Sequence, residues 1–143
     1  PYKTQVSAII SPGGKKDKTN PGIYFELSPR DVRVYSGAHM LDKDQLSNVR
    51  HYIADHLDEF NKLISDKEFK SKFGEILGEK NKRLPKELEE AAAKQPLIFN
   101  KSFYYFSKFD AKTILKEDLA DLIIDTYKVT FGLKDFFTKA LQG

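Results

Sequence analysis

The sequence predicts an α+β fold: an antiparallel sheet of about four strands packed with amphipathic helices in a single domain spanning residues 1–143. Three observations lead there. Val6, Ala8 and Ile10 alternate with Gln5, Ser7 and Ile9, and two more alternating runs follow at Ile23 to Ser28 and Val32 to Ser36, with the period of two that marks strands. From Leu46 the spacing changes to three and four through Val49, Ile53, Leu57, Phe60 and Ile64, the stripe of one core-facing helix or of two abutting ones. An aromatic run from Asn100 to Phe109 then restores strand character, so strands and helices are segregated and not alternated as in βαβ units.

Each element has a local cause. Pro29 in Ser28-Pro29-Arg30-Asp31 presets the first corner of a tight turn, so the second and third strands form an antiparallel hairpin. Asp42 with Gln45 three residues on is a helix-starting capping box. Asp66 caps a short helix that places Phe69 and Phe73 on one core face, and Gly74 ends it. From Glu75 to Pro85 glycine, charge and proline predict an exposed connection, followed by a modest helix around Lys86 to Lys94. In the aromatic strand, Phe103, Tyr105 and Phe109 take one side and Tyr104 and Phe106 the other, which predicts a strand covered on both faces. Leu119, Leu122, Ile123 and Thr126 share a helical face, and Leu133, Phe136, Phe137, Ala140 and Leu141 form a second cluster beyond an expected break at Gly132.

Composition narrows the function classes. The chain is 40% hydrophobic and 13% aromatic, with eleven Phe and seven Tyr, a globular composition. No apolar run approaches the roughly 20 residues of a membrane span, and no charged-then-apolar signal follows Pro1, so no membrane partner is expected. The absence of cysteine excludes disulfides, thiolate nucleophiles and cysteine metal sites, fits a reducing compartment, and makes the cytoplasm the expected location. With 24 basic and 21 acidic residues, the net charge of +3 is a small excess, which weighs against nucleic acid as a partner.

An ordered set of motifs resembles a known family. Pro1-Tyr2-Lys3-Thr4, Ser11-Pro12-Gly13-Gly14-Lys15, Pro21-Gly22-Ile23-Tyr24, Gln45-Leu46, Phe73-Gly74, Leu77-Gly78, Lys82-Arg83 with Pro85-Lys86, and Lys101-Ser102-Phe103 are similar to the domain-of-unknown-function 2461 family of conserved hypothetical proteins. The resemblance covers essentially the whole chain. It implies an intracellular α+β fold, and that the chain is the C-terminal two-thirds of a longer member whose N-terminal portion precedes Pro1. It supplies no catalytic residues. The chain departs from the family pattern at Glu87-Leu88, where many members have Gly-Phe, and at Gly132, where proline is common.

The candidate site residues are cations. Ser11 to Gly22 is longer than an ordinary hairpin loop; Gly13 and Gly14 allow amides to converge on an anion, and Lys15, Lys16 and Lys18 add charge. The spacing is not that of a P-loop, and glycine with lysine also makes a plain soluble turn. Lys80, Lys82, Arg83 and Lys86 form a second basic group, and Lys3 and Lys101 flank strands. Convergence of Lys3, Lys15, Arg83, Lys86 and Lys101 would make a phosphate or carboxylate pocket, with Arg83 suited to two-pronged contact; a dispersed solvated basic surface is the competing reading. The aromatic strand lacks the glycines and the final aromatic of RNA-recognition domains. His39, His51 and His56 have no metal-binding spacing, and Asp118, Asp121 and Asp125 read as a solvated helical face. A catalytic N-terminal proline lacks its β-α-β setting here, and no nucleophile elbow is present.

The sequence therefore calls for no metal and no cofactor, and leaves enzymatic activity and oligomeric state open. Its leading reading is a module, or part of an enzyme, that binds a small anionic ligand. The alternative is a non-enzymatic protein- or nucleic-acid-interaction domain using the aromatic strand and Lys15 to Lys18.

Overall fold

The computed structural model describes residues 6–10, 23–38, 40–110 and 119–142. It begins with β1 (Val6–Ile10), β2 (Ile23–Leu27) and β3 (Asp31–Ala38), followed by α1 (Lys43–Asp55), α2 (Leu57–Ile64) and α3 (Lys67–Phe73). A 3-10 turn at Lys86–Leu88 leads into α4 (Glu89–Lys94), and a second at Pro96–Phe99 leads into β4 (Phe103–Asp110); α5 (Leu119–Lys128) and α6 (Phe131–Leu141) close the chain. The strands lie in the order β1-β2-β3-β4, each pair antiparallel. The fold is α+β, as the segregated pattern predicts.

Local chemistry sets the elements as expected. The β2–β3 hairpin turns at Ser28, whose N–H donates to the Asp31 carbonyl at 3.0 Å while its hydroxyl accepts from the Asp31 N–H at 3.1 Å. Both halves of the α1 capping box form: the Gln45 N–H donates to Asp42 Oδ1 at 2.8 Å and the Asp42 N–H to Gln45 Oε1 at 3.0 Å. Asp66 caps α3 by accepting from the Phe69 N–H at 3.1 Å, and Gly74 ends that helix at φ 79°. The long apolar stripe is carried on two helices, broken at His56, whose backbone sits at φ −132°, ψ 44°.

The helices cover one face of the sheet. Val32, Val34, Ser36 and Ala38 of β3 and Phe103, Tyr105 and Ser107 of β4 are all buried on that face. Phe69 and Phe73 of α3 set their ring centres 5.1 and 5.4 Å from Tyr105, and Phe137 of α6 lies 5.7 Å from Phe103. Phe60 of α2 joins the same cluster through Phe136 at 5.3 Å. Each such ring contributes about 1.5 to 3 kcal/mol by leaving water, so this layer dominates the stability.

Three expectations are corrected. On the opposite face of β4, Tyr104 and Phe106 are half-buried and short of the full burial seen for Phe103 and Tyr105, on whose side the helix contacts described above lie. Gly132 is not the break between the last two helices, which falls at Val129–Thr130; Gly132 lies within the first turn of α6, where an added Cβ would meet Leu63 Cδ2 at 2.7 Å. The segment from Glu75 to Pro85 is not simply an exposed connection. Ile76 is 5% exposed, and Leu77 and Lys80 bridge to Tyr104 and Asn100, because apolar burial and edge pairing with β4 satisfy a backbone that composition marks as irregular.

Candidate functional site

The pairing of Leu77–Asn81 with the approach to β4 is the starting point. The Asn81 N–H donates to the Phe99 carbonyl at 2.8 Å, the Lys101 N–H to the Glu79 carbonyl at 2.7 Å, and the Leu77 N–H to the Tyr104 carbonyl at 2.7 Å. Between the bridges at Leu77↔Tyr104 and Lys80↔Asn100, two residues intervene on one side and three on the other. The extra residue is accommodated as in a bulge, and the backbones close up there. Gly78, at φ 151°, makes this possible, since a Cβ would stand 2.1 Å from the Ser102 carbonyl oxygen.

Adjacent residues of α1 fasten the two arms of this region. Arg50 reaches the segment before β4: its Nε donates to the Asn100 carbonyl at 3.3 Å, and its Nη2 to the Asn100 and Phe99 carbonyls at 3.0 and 3.1 Å. His51 reaches the Lys86–Leu88 turn, with Nε2 3.2 Å from Glu87 Oε1. Glu87 is held below the ordinary glutamate range by its own backbone N–H and by His51. Thus the residue before Lys101 and the residue after Lys86 are both tied to one helical turn of α1.

Of the five predicted cations, Arg83, Lys86 and Lys101 fall in this region and are exposed. Lys3 and Lys15 lie outside the described residues, as do Gly13, Gly14, Lys16, Lys18, His39 and Asp118. Lys101 is brought against Glu79–Asn81 from about twenty residues away in sequence, a pairing that spacing alone does not reveal. Among the described residues, ion pairs engage Arg33, His51, Lys94, Lys108 and Lys139, and none involves Lys80, Lys82, Arg83, Lys86 or Lys101.

Arg50 is the residue that sequence reasoning missed. It is 6% exposed, and burial lowers its proton affinity. Its carbonyl partners are neutral, and no carboxylate pairs with it among the described residues. Nearby Asn100 is 1% exposed, and its Oδ1 has no hydrogen-bond partner. A signal for Arg50 exists in the sequence: Leu46, Arg50, Ile53 and Leu57 recur at four, three and four, so a cation stands inside an apolar stripe.

Other constellations support less. Ser47 Oγ lies 3.3 Å from His51 Nδ1, which with Glu87 suggests a serine–histidine–acid arrangement. The same Nδ1 is 2.8 Å from the Ser47 carbonyl, however, so its proton is committed there and it is no base for the hydroxyl. His56 stacks on Tyr52 at 4.0 Å and bonds the Tyr52 carbonyl. No cluster of three metal-ligating side chains occurs among the described residues. A groove of about 450 Å³ between α2 and the start of α6 is floored by Leu63, Phe69 and Leu133, and takes in none of the predicted cations.

The sheet face opposite the described helix contacts carries Tyr104 and Phe106 of the aromatic strand, both half-buried. Phe106 sits 5.2 Å from Tyr35, and Arg33 lies 5.9 Å above its ring. Tyr35 has its phenol pushed up by partial burial, with Arg33 opposing the shift. Glu26, Asp31 and Asp110 share this face with Arg33 and Lys108. No described helix is long and apolar enough to cross a membrane.

No curated protein and no solved structure matches the chain. One family profile does, over residues 1–136, and its description is conserved hypothetical protein, DUF2461. That match takes in far more than half of the sequence, so the chain belongs to the DUF2461 family of conserved hypothetical proteins.

Proposed function

We propose that this chain, a single α+β domain on an antiparallel sheet of about four strands, is a module that binds a small anionic ligand. Lys101, Arg83 and Lys86 supply charge, with Lys80 and Lys82 beside them and Lys3 and Lys15 contributed from outside the described residues. One observation carries the reading: Arg50 and His51, adjacent on α1, hold the residues next to Lys101 and Lys86, and these cations have no ion-pair partner among the described residues. Cations brought near one another without partners would repel, and an anion held between them would relieve that repulsion. The absence of cysteine fits a reducing compartment, and we place the domain in the cytoplasm.

The test is thermal unfolding in the presence of inorganic phosphate, nucleotides and carboxylates. Binding to the folded state raises the midpoint with ligand concentration. The Arg83→Ala, Lys86→Ala double variant should unfold as the parent does without ligand and lose most of the ligand-dependent rise. An undiminished rise in that variant refutes the reading.

A second reading, an interaction domain for protein or RNA, would use the half-buried Tyr35–Phe106 pair on the sheet face opposite the described helix contacts. Filter binding separates the two. RNA retention that falls steeply with salt supports the second, and no retention at low salt removes its nucleic-acid form.

A further inference from the structure

We propose that the outer face of α5 and α6 is a self-association surface, on which a second copy of this chain packs with its helices running in the opposite direction. The proposal stands apart from the anion site and does not depend on it.

Among the described residues three large apolar side chains are exposed: Met40, Ile124 at 51% and Phe131 at 50%. Single exposed apolar residues are ordinary on a protein surface. Ile124 and Phe131 are not single, because they share one stripe across successive helices. Ala120, Ile124, Tyr127, Phe131 and Lys134 recur at intervals of four, three, four and three, the spacing of a helix-pairing seam. The seam continues where α5 gives way to α6 at Val129–Thr130: Tyr127 and Phe131 meet edge to face at 5.2 Å, and Lys134 Nζ stands 5.9 Å from the first ring and 6.0 Å from the second. Thr126, Thr130, Leu133 and Phe137 are buried, so the two helices have an inner face packed within the domain and carry this second stripe outward.

The charges beside the stripe favour a second copy as its occupant. Asp121 is exposed in the first turn of α5 and Lys134 lies on α6, and neither enters an ion pair among the described residues. The other charges of α6, Asp135 and Lys139, offset each other at 3.0 Å. At the helical rise Asp121 and Lys134 stand roughly 20 Å apart, too far to meet within one chain. Turned end for end about a two-fold axis between Tyr127 and Lys128, two copies bring the Asp121 end of each toward the Lys134 end of the other, and Ile124 of each toward Phe131 of the other. One surface thus serves both sides, as a two-fold pair requires, whereas a parallel arrangement sets like charges together. The stripe is small beside the roughly 20 to 30 residues a side of a standard interface, so the association should be weak.

The experiment is sedimentation equilibrium of the native chain from about 10 μM to about 1 mM. Its average mass should climb with concentration toward that of a dimer. The Ile124→Ser, Phe131→Ser double variant should stay monomeric over the same range, with thermal unfolding showing that it is folded. Asp121→Lys and Lys134→Asp should each weaken association by about tenfold or more. An equimolar mixture of those two chains should restore it, because unlike charges then face each other at both ends. A native chain that remains monomeric to about 1 mM overturns the proposal, and is the result expected if the stripe belongs to a different protein. A dimer that survives the two serines, or a mixture that associates no better than its components, overturns it as well. Ligand stabilisation measures the anion-binding reading separately, so either reading can fail while the other stands.

Discussion

Replacing Gly78 with alanine tests whether the segment before α4 is truly fastened to β4. The added Cβ would lie 2.1 Å from the Ser102 carbonyl oxygen, 3.0 Å from its carbon and 3.1 Å from Asn100 Nδ2. Carbon and oxygen approach no closer than about 3.3 Å without strain, so the backbones must part by about 1 Å or more. That movement disrupts the bonds on either side, Leu77 N–H to Tyr104 and Lys101 N–H to Glu79, both 2.7 Å, at about 1 kcal/mol each. Holding alanine at φ 151° adds about 2 kcal/mol, for a total of about 4 kcal/mol. At roughly 4 °C per kcal/mol for this chain length, the midpoint should fall by about 15 °C. Gly74→Ala is the matched control: φ is also positive, at 79°, but nothing lies within 4 Å of its Cβ, so only backbone strain of about 2 kcal/mol, comparable to that at Gly78, applies. Calorimetry and urea titration of the two variants should therefore differ by about 2 kcal/mol or more, with unchanged urea slope. Equal losses in the two would refute the close-approach argument.

Other expectations are read by the same methods. Phe60→Ala, at a fully buried position against Phe136 and Phe137, should cost about 3 to 5 kcal/mol in urea unfolding. Asp42→Ala removes the α1 capping box and should cost about 1 kcal/mol. Glu87 has its carboxyl depressed in the folded state, so its contribution is present above the unfolded glutamate pKa of about 4.3 and is lost as pH falls through the folded value. Glu87→Gln should thus match the parent in acid and fall below it toward neutral pH in urea midpoints; a gap that instead widens on acidification contradicts the assignment.

The hairpin turn, the Asp42–Gln45 box, the Asp66 cap and the inward Phe69 and Phe73 were legible because each depends on residues within four positions of one another. Local hydrogen bonds and helical periodicity leave their mark in order along the chain. The site was legible in part. Its cations could be named, but Lys3 and Lys15 lie outside the described residues, and the pairing that sets Lys101 against Glu79–Asn81 leaves no periodic trace.

By itself, then, the sequence determined the α+β class, the family and which residue types were available for an anion. Tertiary structure decided that Leu77–Asn81 pairs with the stretch from Phe99 to Tyr104, that Gly132 lies inside α6, and that the aromatic strand is covered by helices on the Phe103–Tyr105 side. It also buried Arg50, a polar letter in an apolar stripe, against carbonyls some fifty residues away. Such pairings form because distant backbone groups must find partners once water is excluded, and that condition is set by the packed fold and not by neighbouring residues.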